Sequence, residues 1–173
     1  MDRIAQERGT SMGVRYRRTV QVAASAGTVA RVMRDVAGWP RWNASVERLD
    51  RPGVGPLTVG ETVRLKQRRL PANTWTVTDV DESGFTWTAT SGGVRTTGDH
   101  RARAVDAGRT EAVLTLTLDG PLARLSALFA ARLIRRYLDQ EAEGLRREAE
   151  GLRPTAEEPA GELRREAEGE TGR

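Results

Sequence analysis

The 173 residues contain no cysteine, which excludes disulfides, thiolate metal sites and a cysteine nucleophile, and fits a reducing compartment. Histidine occurs once, at His100. Zinc needs several convergent ligands, so no metal site is expected, and nothing in the sequence asks for a cofactor. Lysine also occurs once, at Lys66, leaving arginine to carry nearly all the positive charge. No apolar run approaches the roughly 20 residues of a membrane-spanning helix. The first residues, Met1 to Arg8, lack the apolar centre of a signal peptide. A cytoplasmic protein without an integral membrane segment is the expectation.

The net charge of +4 is spread thinly along the chain. The densest basic cluster, Arg15-Tyr16-Arg17-Arg18, is short and falls on a strand-like stretch, so no nucleic-acid partner is expected. The length suits one domain with a tail. Residues 1–13 read as a polar, flexible leader, 14–150 as the domain, and 151–173 as a charged, disordered tail. Leu145-Arg146-Arg147-Glu148-Ala149-Glu150-Gly151 recurs word for word from Leu163 to Gly169. Two copies make no repeat architecture. The first extends the last helix; the second, cut off by Pro154 and Pro159, reads as solvated chain or as a partner-binding segment.

Within the domain, residues 16–24 alternate as a first strand. Ser25 caps a helix with Val29, Val32, Met33 and Val36 at i, i+3, i+4, i+7, ending at Gly38. Trp39-Pro40-Arg41-Trp42 follows as a rigid aromatic knuckle, with Pro40 biasing Trp39 towards extended geometry. Alternating stretches at 46–50, 61–67, 74–80, 85–90, 94–105 and 110–118 are separated by turn signals such as Glu82-Ser83-Gly84 and Asp106-Ala107-Gly108. Connections this short make an antiparallel sheet, apolar on one face and rich in Thr and Arg on the other. The one long helical pattern starts after Asp119-Gly120-Pro121. Its stripe, Leu122, Leu125, Phe129 and Leu133, widened by Leu128, Ile134, Tyr137 and Leu138, is expected to cover the apolar sheet face.

This order resembles that of an α+β helix-grip (Bet v 1-like) fold, a curved antiparallel sheet wrapped around a long C-terminal helix. Val36-Ala37-Gly38-Trp39-Pro40-Arg41-Trp42 resembles a segment typical of polyketide cyclase/dehydrase-like members of the START/Bet v 1-like (SRPBCC) superfamily. Val59-Gly60-Glu61, Trp75-Thr76-Val77-Thr78, Phe85-Thr86-Trp87 and Gly98-Asp99-His100 stand in the matching order. The resemblance covers roughly residues 16–145. It implies an apolar cavity between sheet and helix that holds a polyketide- or lipid-like small molecule, and in some members cyclisation or dehydration of polyketide chains. The cysteines of Rieske-type oxygenase relatives are missing. Fold alone does not fix activity.

His100 is the candidate acid or base, on the strand face shared with Gly98, Ala102 and Ala104. The plainer reading is a strand histidine satisfied by hydrogen bonds. No carboxylate is visibly placed to orient it: Asp99 points to the other face, and Asp79, although in phase with Trp75 and Val77, reads as ending its strand in solvent. Alternation turns Arg18, Gln67 and Thr96 inward as polar ligand contacts. Trp75, Phe85, Trp87, Leu114 and Leu116 form the expected sheet wall, and Leu125, Phe129, Leu133 and Tyr137 the helix wall. Three functions stand open: a carrier of a hydrophobic small molecule, a polyketide cyclase or dehydratase using His100, and an interaction protein acting through its tail.

Overall fold

The computed structural model describes residues 13–151. Seven strands form one antiparallel sheet in the order β1-β7-β6-β5-β4-β3-β2. They are β1 (Val14–Val22), β2 (Val46–Asp50), β3 (Thr62–Gln67), β4 (Asn73–Asp81), β5 (Gly84–Ser91), β6 (Val94–Asp106) and β7 (Arg109–Asp119). Only β1 and β2 are sequence neighbours that do not pair, because the short helices α1 (Ala26–Arg34) and α2 (Trp39–Trp42) intervene. Register shifts within β2, β4 and β6 interrupt the ladders, and bulges of this kind bend a sheet and raise its twist. The long helix α3 (Ala123–Gly151) lies against the inner face, so the first copy of the repeated heptapeptide is helical. The second copy and the leader lie outside the described residues.

Local chemistry accounts for the helix starts and ends. Ser25 Oγ accepts the Thr28 N–H at 3.3 Å, as an N-cap should. Helix α1 stops at Arg34, earlier than the apolar spacing suggests, and Val36–Gly38 makes a separate 3-10 turn. Trp39 is helical, with φ −54° and ψ −40°, and not extended. Pro40 occupies the first turn of α2, where a missing N–H costs no hydrogen bond.

The main core joins Val29 and Met33 of α1, the α2 tryptophans, inner-face residues such as Val63, Val77, Phe85 and Leu114, and Leu138 and Leu145 of α3. A smaller cluster of Val94, Leu118, Ala123 and Ala127 lies under the start of α3.

The direction of the α3 stripe differs from expectation. Leu122, Leu125 and Phe129 do share one side of the helix, but it faces solvent: they are 47%, 54% and 80% exposed. The inward row in this half is Ala123 and Ala127 with partly buried Ile134, packed on Tyr16 and Leu116. The sheet supplies the bulk there, so the helix contributes methyl groups, a large-to-small match that fills space without strain. Fully buried bulky residues come only from the second half, through Tyr137, Leu138 and Leu145.

Gly144 makes that second half possible. A Cβ at this position would lie 2.2 Å from the Trp42 carbonyl oxygen, so the helix meets α2 at backbone distance.

Candidate functional site

His100 is carried by β6, directly opposite Phe85 on β5 and Leu114 on β7. Strand alternation turns it to the inner face, where it is 5% exposed. Its ring stacks on Phe85 at 4.6 Å between centroids, 7° from parallel. Trp39 stands 5.3 Å away and Trp87 meets the ring edge-on at 5.9 Å. Trp39 is itself fixed by donating its indole N–H to the Met33 carbonyl at 3.0 Å. Gly98 opens the room for Trp87: a Cβ there would lie 2.5 Å from the indole nitrogen.

Across this aromatic box α3 presents Glu141, whose Oε1 lies 2.8 Å from His100 Nε2. Their side chains are 7% and 9% exposed, so the pair is effectively desolvated. With the carboxylate ionised, Nε2 carries the hydrogen and donates it, and Nδ1 is left with its lone pair. Nδ1 is buried and has no protein partner among the described residues. The arrangement is an imidazole held in one tautomer and one orientation by a carboxylate, with the free nitrogen in aromatic surroundings. Such a group takes and returns a proton.

Two further buried polar atoms lack partners among the described residues: the Tyr137 hydroxyl and Asn43 Nδ2. Burial pushes the Tyr137 phenol above its ordinary range, so it is a neutral donor. Asn43 Oδ1 accepts from both the Ser45 N–H and the Ser45 hydroxyl, and Gln67 donates in turn to Ser45 Oγ. That chain fixes the Asn43 amide with its NH2 unspent.

The expected site residues thus divide. Trp75, Phe85, Trp87 and Leu114 are buried in the main core, and Leu116 packs against it. Thr96 is half-buried on the His100 face of β6, and Tyr137 is buried. Gln67 is half-buried but engaged by Ser45. Arg18 does not enter an enclosed space: β1 is an edge strand, and Arg18 Nε pairs with Asp139 Oδ1 at 3.0 Å with its side chain half exposed. It borders a surface cleft of about 360 Å³ with Tyr16, Arg135 and Leu138. Leu125 and Phe129 are not an inner wall, for the reason given above, and Leu133 is half-buried. Asp79 lies on the outer face, its Oδ2 accepting from Arg101 at 2.7 Å. The shift between Val77 and Asp79 puts it out of phase with Trp75.

Glu141 is the residue that sequence reading passed over. Its signal was a carboxylate inside the apolar row Leu138, Ala142 and Leu145, where a charge needs a buried partner.

A curved antiparallel sheet gripping a long C-terminal helix, with short helices between its first two strands, defines the START/Bet v 1-like class. Solved structures agree. An aromatase/cyclase, ZhuI, from a Streptomyces species superposes with a TM-score of 0.66 at 25% identity, covering 80% of this chain and 94% of that one. A START superfamily protein from Mycobacterium smegmatis gives a TM-score of 0.61 at 16% identity over 78% and 97% of the two chains. Norcoclaurine synthase from Thalictrum flavum, in complex with dopamine and hydroxybenzaldehyde, gives 0.65 at 14% over 89% and 99%. No curated protein sequence matches at a significant level. The chain belongs to the family described as polyketide cyclase/dehydrase and lipid transport, whose sequence model matches residues 13–150. No helix among the described residues is long and apolar enough to cross a membrane.

Proposed function

We propose that the protein takes a hydrophobic, polyketide-like molecule between the sheet and α3 and applies acid/base chemistry to it at His100. The observation that carries this reading is the His100–Glu141 pair. A buried carboxylate–imidazole couple is a poor way to stabilise a core. Here it leaves one ring nitrogen unspent among Trp39, Phe85 and Trp87. The likeness to an aromatase/cyclase supports the substrate class.

The chemistry needs no oxidant. Nδ1 takes a proton from a methylene group flanked by two carbonyls, and Glu141 stabilises the imidazolium that forms. The enolate carbon attacks a second carbonyl carbon of the same chain, making a carbon–carbon bond and an alkoxide. The imidazolium returns its proton to that oxygen. A second proton removal from the adjacent carbon, with the proton delivered to the departing hydroxyl, releases water and leaves a double bond. The Tyr137 hydroxyl and the Asn43 amide are donors suited to carbonyl oxygens of such a substrate. Most of the rate gain would come from holding a flexible chain in one fold.

Carriage of a hydrophobic molecule without turnover is the second reading, supported by the same buried aromatic surroundings. Tryptophan fluorescence separates the two. A flat polycyclic ligand should quench the wild type and His100→Gln alike, while His100→Gln should lose at least about a hundredfold in cyclisation of a poly-β-ketone thioester analogue. Full turnover by His100→Gln would leave only the carrier reading. Absence of quenching by any polycyclic or acyl ligand would remove both.

A further inference from the structure

We propose that the outward side of the first half of α3 docks onto an anionic lipid bilayer surface. Leu122, Leu125, Leu128 and Phe129 are 47%, 54%, 74% and 80% exposed, and all lie within eight consecutive positions. A soluble domain rarely leaves a contiguous set of such large apolar side chains without a partner. Scattered exposed leucines need no explanation; a helical row of them ending in phenylalanine does.

The charges within this stretch of helix are of one sign, with carboxylates only at its two ends, Asp119 and Asp139. Residues 121–138 include four arginines and no carboxylate. Arg132, Arg135 and Arg136 are exposed, and Arg135 also lines the cleft bordered by Arg15, Arg17 and Arg18 of β1. The acidic residue on that cleft, Asp139, is paired with Arg18.

The occupant follows from this combination. A second copy of the chain, related by a two-fold axis through this face, would set the Arg132 and Arg136 region against itself. An acidic protein would match the arginines, but Leu128 and Phe129 stand out from a convex helix and would need pockets shaped to receive them. A bilayer surface accepts both features without a shaped partner. The leucines and phenylalanine enter the acyl boundary, and the arginine stems reach back to lipid phosphates. The docking does not depend on His100 and stands whether or not the interior is catalytic.

The test is cosedimentation of the full chain with vesicles of phosphatidylcholine alone and of phosphatidylcholine containing phosphatidylglycerol. Binding to the anionic vesicles is expected, falling as salt rises. The double variant Leu128→Ser, Phe129→Ser should abolish it. Arg132→Ser with Arg136→Ser should weaken it roughly thirtyfold. All these side chains are exposed, so folding is preserved, and circular dichroism checks it; should the serine variant lose helix signal, Leu128→Ala with Phe129→Ala replaces it. Sedimentation with neither vesicle, or equally with both and unaffected by the variants, overturns the proposal. It falls equally if the wild type is a dimer that the serine variant converts to monomer, which assigns the face to a second copy. Retention on polyglutamate as tight as on vesicles, with the same loss in the serine variant, assigns it instead to an acidic protein.

Discussion

Glu141 and His100, 41 residues apart in sequence, meet at 2.8 Å in the interior of the fold. One comes from the C-terminal helix and the other from the middle of a strand, so the contact exists only once α3 has closed over the sheet. Removing one partner leaves the other buried and unpaired. His100→Leu is therefore expected to destabilise the protein by about 3 kcal/mol, and adding Glu141→Leu to recover most of that loss. Urea denaturation of the wild type, both single variants and the double variant measures this directly. A double variant as unstable as the sum of its singles would show that the two side chains are not energetically coupled and would overturn this expectation.

Tyr137 supplies a second check on whether the interior is built for a guest. Its hydroxyl is buried without a protein partner. Tyr137→Phe removes a polar atom that gains nothing in the free protein, so stability should stay unchanged or rise by up to about 1 kcal/mol. Affinity for a carbonyl-bearing ligand should fall by about 5–10-fold at the same time. Thermal melts with and without ligand read both quantities, and a large loss of stability in the free protein would contradict the expectation.

Gly144 reverses a familiar rule. Glycine inside a helix costs about 1 kcal/mol relative to alanine, so Gly→Ala usually stabilises. Here the added methyl would sit 2.2 Å from the Trp42 carbonyl oxygen, a backbone atom that cannot swing aside. Gly144→Ala should destabilise by about 2–3 kcal/mol through forced separation of α2 and α3. Gly151→Ala, where nothing lies within 4 Å, serves as the control and should be neutral or stabilising. Guanidinium melts of both variants decide the point.

A fourth prediction about stability concerns acid. Arg51 holds the 51–57 loop by donating to the Gly55 and Pro56 carbonyls at 2.8 and 3.0 Å, and it is in turn clasped by Glu61. The Arg51 guanidinium holds the Glu61 carboxyl below its usual range. A carboxyl depressed by folding contributes stability above its unfolded value, near 4.3, and loses it as pH falls through the folded value. Asp81, Asp106 and Glu143 are shifted the same way, by Ser83, Arg109 and Arg146 respectively. Glu61→Gln should thus lower the melting temperature at pH 7, and its deficit should shrink as pH falls below the unfolded value and through the depressed folded one. A deficit that persists undiminished in acid would assign the loss to packing instead.

Much of the fold was legible because the strands alternate cleanly. The series from Thr62 to Leu118 shows its period in the sequence, and short turns leave antiparallel pairing as the sole option. Direction was harder to read than period. The row Leu122, Leu125, Phe129 is truly helical, but the opposite row is alanine, and hydrophobicity alone sends the larger residues inward. What decides is the sheet's own bulk at Tyr16 and Leu116, which a one-dimensional pattern does not express. Arg18 and Asp79 both face solvent, against expectation for Arg18 and in line with it for Asp79. The first lies on an edge strand, where an inner-facing side chain escapes to solvent; the second follows a bulge that inverts the alternation. The inward direction of His100, Trp75, Phe85 and Trp87 follows from alternation. Its partner Glu141 needed the helix-to-sheet contact that only tertiary structure supplies.

The alanine row has one more consequence. In hydrogen bonding α3 is a single helix of 29 residues. In packing it is two: a start held by the methyls of Ala123 and Ala127 and one bond from the Tyr16 hydroxyl to the Ala127 carbonyl, and an end held by Leu138, Leu145 and backbone contact at Gly144. The start covers Val94 and Leu118, and Gly120, at φ 113°, turns the chain into it so tightly that a Cβ there would lie 2.5 Å from the Gly93 carbonyl oxygen. Glu141 therefore sits in the half of α3 that is anchored at backbone distance, three residues before Gly144.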